Sequence, residues 1–200
     1  MAFYIGDVPS VSFGIEPARD LTPFNSVTVQ LLDPEGAVVP LIFTGSIVDD
    51  EVVIVWPATT PFAVAGVYSL RVTLTNTVTS VRERLAPIRI IVQAEDGWHT
   101  VDSAREDWED APDSDAAVYD LLELAKDAVL EYAPALAVDA PIPVNYRAGQ
   151  RGHAENIWNS TRVNPTTGGD GDGSFVMRPF PLDWQIKQIL RPKSGTGFVG

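Results

Sequence analysis

The spacing of apolar residues changes once along this chain, and that change limits its fold more than any other feature. Up to about residue 94 the apolar positions recur every second residue. Val27, Val29 and Leu31 alternate with Thr28 and Gln30, while Tyr68, Leu70, Val72 and Leu74 alternate with Ser69, Arg71 and Thr73. Period two is the pattern of a strand with one face buried. Farther on, Val118, Leu121, Leu122, Ala125, Val129 and Tyr132 recur every three to four residues, which is one face of an α-helix. The chain therefore reads as an α+β protein of two domains, a β-domain over residues 1–94 and a helical domain over residues 95–200.

The first region carries further strand signals. Residues 52–56 form a short apolar run, and residues 85–92 another. Turn chemistry separates the runs at Asp33-Pro34-Glu35-Gly36, at residues 57–61 and at Ala65-Gly66. About seven short strands without a helical stretch predict an antiparallel β-sandwich of immunoglobulin-like type. The run Ala65-Gly66-Val67-Tyr68 resembles the tyrosine corner of such domains, although a tyrosine that merely fills the core fits the same residues.

Charge marks the boundary. Residues 95–115 hold nine acids and one base, Arg105, a net of −8 against −13 for all 200 residues. Trp98 and Trp108 within this run argue for folded structure rather than an acidic linker. The spacing predicts a short helix over residues 101–109 with Thr100 as its N-cap. A long helix follows, capped by Ser114 or Asp113 and stopped by Pro134. A third spans about residues 146–161 with Ala154, Ile157 and Trp158 inward, and must tolerate Gly149 and Gly152. A last helix over residues 182–190 turns Leu182, Ile186, Ile189 and Leu190 inward. Trp184 lies about 200° round from Leu182 and points away from that face. Residues 164–178, rich in glycine, read as a long loop.

Several functions are excluded or disfavoured. There is no cysteine, so disulfides, thiolate nucleophiles and Cys-ligated metals are impossible, and two histidines, His99 and His153, cannot build a multi-His metal site. An acidic chain is poorly suited to wrapping nucleic acid. The start, MAFYIGDVPS, has no basic and apolar signal pattern, and no run is long enough to span a membrane. No nucleophile elbow, zinc-protease helix or phosphate loop occurs. The run Gly168 to Gly173, with Asp170 and Asp172, lacks the terminal glutamate of a calcium loop. His153 reads as a core histidine and His99 as a linker or capping residue. No cofactor, no metal and no enzymatic activity are expected.

From Asp96 to Lys193 the order of features resembles the head–tail adaptor (connector) family of long-tailed bacteriophages. The segments that carry the likeness are GWHTVDSAREDWEDAPDSD, then AVYDLLELAKDAVLEYAP, then PIPVNYRAGQ leading into Ile157-Trp158, and finally RPFPLDWQIKQILRPK. Together they cover about half of the chain. The resemblance implies a structural protein of the virion neck, assembled in the host cytoplasm. It would form a homo-oligomeric ring, typically dodecameric, between the portal protein and the next neck (stopper) protein. DNA would pass through the ring without specific binding, and no membrane is involved. The β-domain over residues 1–94 has no counterpart in the minimal adaptor, and Gly149 and Gly152 depart from the alanine-rich helix expected there.

Residue roles follow as expectations. Trp184, Arg191, Pro192, Lys193 and Phe198 are candidate contacts to the portal or another partner. Gly168, Gly169, Asp170, Asp172 and Phe175 belong to a loop that lines the channel or meets the stopper. Residues 141–200 carry seven bases and four acids, a net of +3. That excess faces the −8 segment across a subunit boundary in this reading, with Glu106, Asp107 and Glu109 opposing Arg147 and Arg151. The competing reading is a binding module whose β-domain recognises a host or virion surface while the helices only multimerise it.

Overall fold

A computed structural model describes residues 2–10, 12–17, 20–162 and 181–191. It is a mixed α+β structure with two sheets and four helices among the described residues. The chain divides into two compact units, Met1–Glu95 and Asp96–Gly200.

The first unit contains strands β1 (Ala2–Tyr4), β2 (Phe13–Ile15), β3 (Ser26–Leu32), β4 (Thr44–Val48), β5 (Glu51–Val55), β6 (Gly66–Thr75), β7 (Arg82–Arg84) and β8 (Ile88–Gln93). One sheet has the order β1-β8-β6-β3, with β7 also on β6; the other has the order β2-β5-β4. The alternation read in β3 and β6 sets their register, Val27 opposite Leu74 and Leu31 opposite Leu70. Leu31, Val52, Ile54, Leu70, Leu74 and Ile90 are fully buried, so side chains from both sheets fill one apolar core.

Two details correct the sequence reading and a third adds to it. The pairing is not wholly antiparallel, because β1 runs parallel to β8 with Ala2 opposite Ile91. A parallel pair needs a long crossover, and here most of the unit lies between the two strands. The strand expected over residues 85–92 begins only at Ile88, as β8; Leu85 to Pro87 lie between β7 and β8, and Pro87 has no N–H to give to a ladder. Finally, β4 and β5 form a hairpin whose turn residues, Asp49 and Asp50, have φ of 45° and 64°. Two successive left-handed residues make the tight turn that matches strand twist, here without any glycine.

Tyr68 lies near the start of β6 with 1% exposure. Its hydroxyl donates to Val64 O at 3.1 Å and accepts from Val64 N–H at 3.3 Å, tying the strand to the loop before it. The ring also packs edge-on to Phe62. It is a corner tie and a core filler at once.

The second unit contains α1 (Val101–Asp107), α2 (Asp115–Tyr132), α3 (Val144–Arg162) and α4 (Trp184–Leu190). Thr100 caps α1 as expected by accepting Ser103 N–H, and the Ser103 hydroxyl oxygen accepts Thr100 N–H in a reciprocal capping box. The helix stops at Asp107, two residues short of the expected end, because Trp108 leaves the helical conformation to enter the core. Ser114 occupies the N-cap position of α2 but makes no capping bond with its side chain. Its C-terminus at Tyr132-Ala133 lies just before Pro134, whose ring disfavours helix in the residue ahead of it.

The inward face of α3 differs from the sequence reading. Tyr146, Gln150, His153 and Ala154 are buried, whereas Ile157 and Trp158 are only half-buried. On α4, Ile186 and Leu190 face inward, but Ile189 is 48% exposed. Leu182 is buried from the segment just before the helix, and Asp183 caps it by accepting Gln185 N–H at 3.2 Å. Gly149 explains why α3 carries a glycine: a Cβ there would stand 3.0 Å from Leu190 Cδ2 and 3.4 Å from Val129 Cγ2. At that point α2, α3 and α4 meet.

Candidate functional site

The second unit holds the candidate residues, and its polar framework decides which of them are free to meet a partner. Gln150, fully buried on α3, accepts His99 N–H at 2.9 Å and donates to Leu122 O at 3.1 Å. One side chain thereby joins the entry to α1, the middle of α2 and the middle of α3. His99 Nδ1 contacts Ser103 Oγ at 3.2 Å, which fits its expected place beside the cap. Its pKa lies below the ordinary value, because of burial first and the positive charges of Arg147 and Arg151 next. His153 is a core histidine as expected, with 2% exposure. Its Nδ1 has no hydrogen-bond partner, and burial pushes its pKa down. Burial and the nearby Glu123 and Asp120 likewise push the Tyr119 hydroxyl up to about 12.

Ion pairs consume part of the charge within the chain. Arg151 meets Asp107 at 2.8 Å and Glu155 at 3.3 Å, Arg105 meets Asp115 at 3.1 Å, and Lys126 meets Asp96 at 2.9 Å. The expected opposition of Asp107 to Arg151 is thus made inside one subunit, between α1 and α3. Arg147 is half-buried, and its Nε has no hydrogen-bond partner. Glu106 and Glu109 are exposed and, like Asp110 and Asp113 beside them, make no ion pair among the described residues.

At the other end of α2 the picture reverses. Lys187 Nζ and Arg191 Cζ lie 5.6 and 5.1 Å from the centroid of the Tyr132 ring. Neither cation has a carboxylate partner among the described residues. Trp184 stands on the same stripe of α4 and is 66% exposed, so the expectation that it points outward agrees with its position. Sequence reasoning singles out Trp184 and Arg191 but passes over Lys187 and Tyr132. The spacing of Trp184, Lys187 and Arg191 at i, i+3 and i+7 is the available signal.

The remaining candidates, Gly168, Gly169, Asp170, Asp172, Phe175, Pro192, Lys193 and Phe198, lie outside the described residues. Among the described residues no cluster of three or more His, Asp or Glu side chains could hold a metal, and no helix is long and apolar enough to cross a membrane. A scan against protein-family models finds no match, and a search of curated proteins finds none either.

Proposed function

We propose that this chain is a structural subunit of a bacteriophage neck, a member of the head–tail adaptor type that joins the portal to the next connector as a ring. The observation that carries the reading is the correspondence of segments to elements. The stretches that resemble an adaptor fall in order on α1, α2, α3 and α4, within one compact unit with its own apolar clusters. The net charge of −13 also suits the wall of a DNA conduit, since bound phosphates would slow passage. In this reading the protein is not an enzyme. It is made in the host cytoplasm and ends in the virion neck, with the segment from Arg191 onward as its portal-docking tail. The first unit is an immunoglobulin-like sandwich, a reading supported by the Tyr68 corner tie and by two sheets sharing one core.

The test is mass by light scattering of the full chain with and without a matching phage portal ring. Co-migration near one copy per portal subunit, abolished by removing residues 191–200, is expected. Absence of association at every salt concentration overturns the reading.

One observation favours the binding-module alternative. The first unit has an open cleft of about 450 Å³ lined by Phe3, Asp7, Ser12, Phe13 and Trp56, among others. Aromatic faces beside hydroxyl and carboxylate groups suit a sugar. Saturation-transfer NMR with a panel of glycans tests it, and binding lost in Asp7→Ala with no portal association would favour that reading.

A further inference from the structure

In the first unit, β1 is an outer strand of one sheet and β2 an outer strand of the other. Residues 5–12 join these two edges, and Pro9 within that segment has no N–H to add to either ladder. The open cleft of about 450 Å³ lies here, walled by Phe3 of β1, Phe13 of β2, Trp56 and the joining segment itself. The three rings form one group. The Phe3 and Phe13 centroids stand 5.6 and 5.7 Å from that of Trp56. Trp56 is buried, whereas Phe3 and Phe13 are half-buried and keep part of their rings at the cleft.

One charge is fixed beside those rings. Asp7 Oδ2 accepts Tyr4 N–H at 2.8 Å, and Asp7 N–H donates to Tyr4 O at 3.1 Å. Gly6, with φ of 86°, permits this tight reversal, and its own N–H is tied to Phe62 O at 3.0 Å. The backbone of its own turn therefore positions the carboxylate, which has no ion-pair partner among the described residues. No Lys, Arg or His lines the cleft among the described residues. Ser10 and Ser12 also line it, and neither hydroxyl makes a hydrogen bond among those residues.

We infer that this cleft takes a cationic amino sugar, its ammonium group on the Asp7 carboxylate and its ring against Phe3, Phe13 and Trp56. The inference rests on the binding-module reading of the first unit and deepens it by naming the charge of the ligand. It is independent of the neck reading, because every residue it uses lies in the first unit. Charge complementarity selects the ligand. An anionic sugar meets Asp7 with no lining base to offset it, and a neutral sugar leaves the carboxylate facing only hydroxyls. An ammonium group gives that carboxylate a charge-assisted hydrogen bond. The negative faces of the aromatic rings attract the same cation. A pyranose adds apolar C–H area for the rings and hydroxyls for Ser10 and Ser12, so a few polar groups orient a ligand held mainly by apolar walls. A plain alkylammonium uses the carboxylate and leaves both serines unused.

The experiment is a saturation-transfer NMR titration of the full chain at about pH 6.5, where the probe's amine is protonated. The probes are glucosamine, N-acetylglucosamine, glucuronic acid and tetramethylammonium. Glucosamine is expected to bind about fivefold or more tightly than N-acetylglucosamine, the same ring without the charge. Glucuronic acid is expected to bind more weakly than either. Asp7→Asn removes the charge but keeps an oxygen for Tyr4 N–H, and is expected to bind the two hexosamines alike. Circular dichroism checks the fold of the variant, and the comparison of probes on the wild-type chain needs no variant. Equal binding of the two hexosamines by wild type, an amine preference that survives in Asp7→Asn, or tetramethylammonium bound as tightly as glucosamine overturns the inference. Binding of N-acetylglucosamine alone also overturns it while leaving the binding-module reading standing. Binding of no sugar removes both.

Discussion

Gln150 and His99, 51 positions apart in sequence, are joined by a 2.9 Å bond from the His99 backbone N–H to the Gln150 side-chain oxygen. The same amide donates to Leu122 O at 3.1 Å. The bond anchors the segment that leads into α1, and through it the acidic stretch that follows. Replacing Gln150 with leucine keeps the volume but leaves the part-buried His99 N–H without an acceptor and the buried Leu122 carbonyl without this donor. A loss of about 1–3 kcal/mol is expected, seen as a lower urea midpoint of the second unit with the first unit's transition unchanged.

Gly149 and Gly152 occupy the same helix but respond in opposite directions. A methyl at 152 finds Ile186 Cδ1 at 3.7 Å, an ordinary contact. Gly152→Ala therefore stabilises by about 0.5–1 kcal/mol through helix propensity and a less flexible unfolded chain. At 149 the methyl meets Leu190 at 3.0 Å and Val129 at 3.4 Å, so α4 must shift. Gly149→Ala is expected to lower the thermal midpoint, and hydrogen exchange in α4 is expected to quicken.

Tyr68→Phe removes only the hydroxyl that ties β6 to Val64. The ring still fills its place against Phe62. A loss of about 0.5–1.5 kcal/mol is expected in the first unit alone, measured by equilibrium unfolding.

His153 makes the second unit sensitive to mild acid. Its folded pKa is depressed below 6.5 by burial, so the unfolded chain takes up the proton first. Stability is full above 6.5 and is lost as pH falls through 6.5 towards the folded pKa; His99 acts in the same sense. Burial pushes the Glu123 carboxyl up, which acts in the opposite sense, so the comparison with His153→Leu is what isolates the histidine. A urea midpoint that declines from about pH 7.5 to about pH 5 is expected, with a flatter profile in His153→Leu. An equal slope in that variant would assign the effect elsewhere.

Much of this protein is legible in its amino-acid sequence. The change of period near residue 94 lies one residue from the end of the first compact unit, because burying one face of a strand or a helix imposes its period directly on the sequence. Thr100 as a cap, Pro134 as a stop and Trp184 as an outward tryptophan are equally readable, since each depends on a few neighbouring residues. The parallel β1–β8 pair, the Gln150 bond and the sharing of Tyr132 by Lys187 and Arg191 are not. These join residues far apart in the chain, where no local pattern marks the partner. The same limit hides the partner of Arg151. Its charge is evident from composition, but only the packing of α3 beside α1 places it on Asp107 of its own chain. Sequence alone determined the elements and most of the faces they bury, because those follow from local propensity and periodicity. Tertiary structure decided which charges are consumed inside the molecule and which remain for a partner, because that depends on distances set by packing.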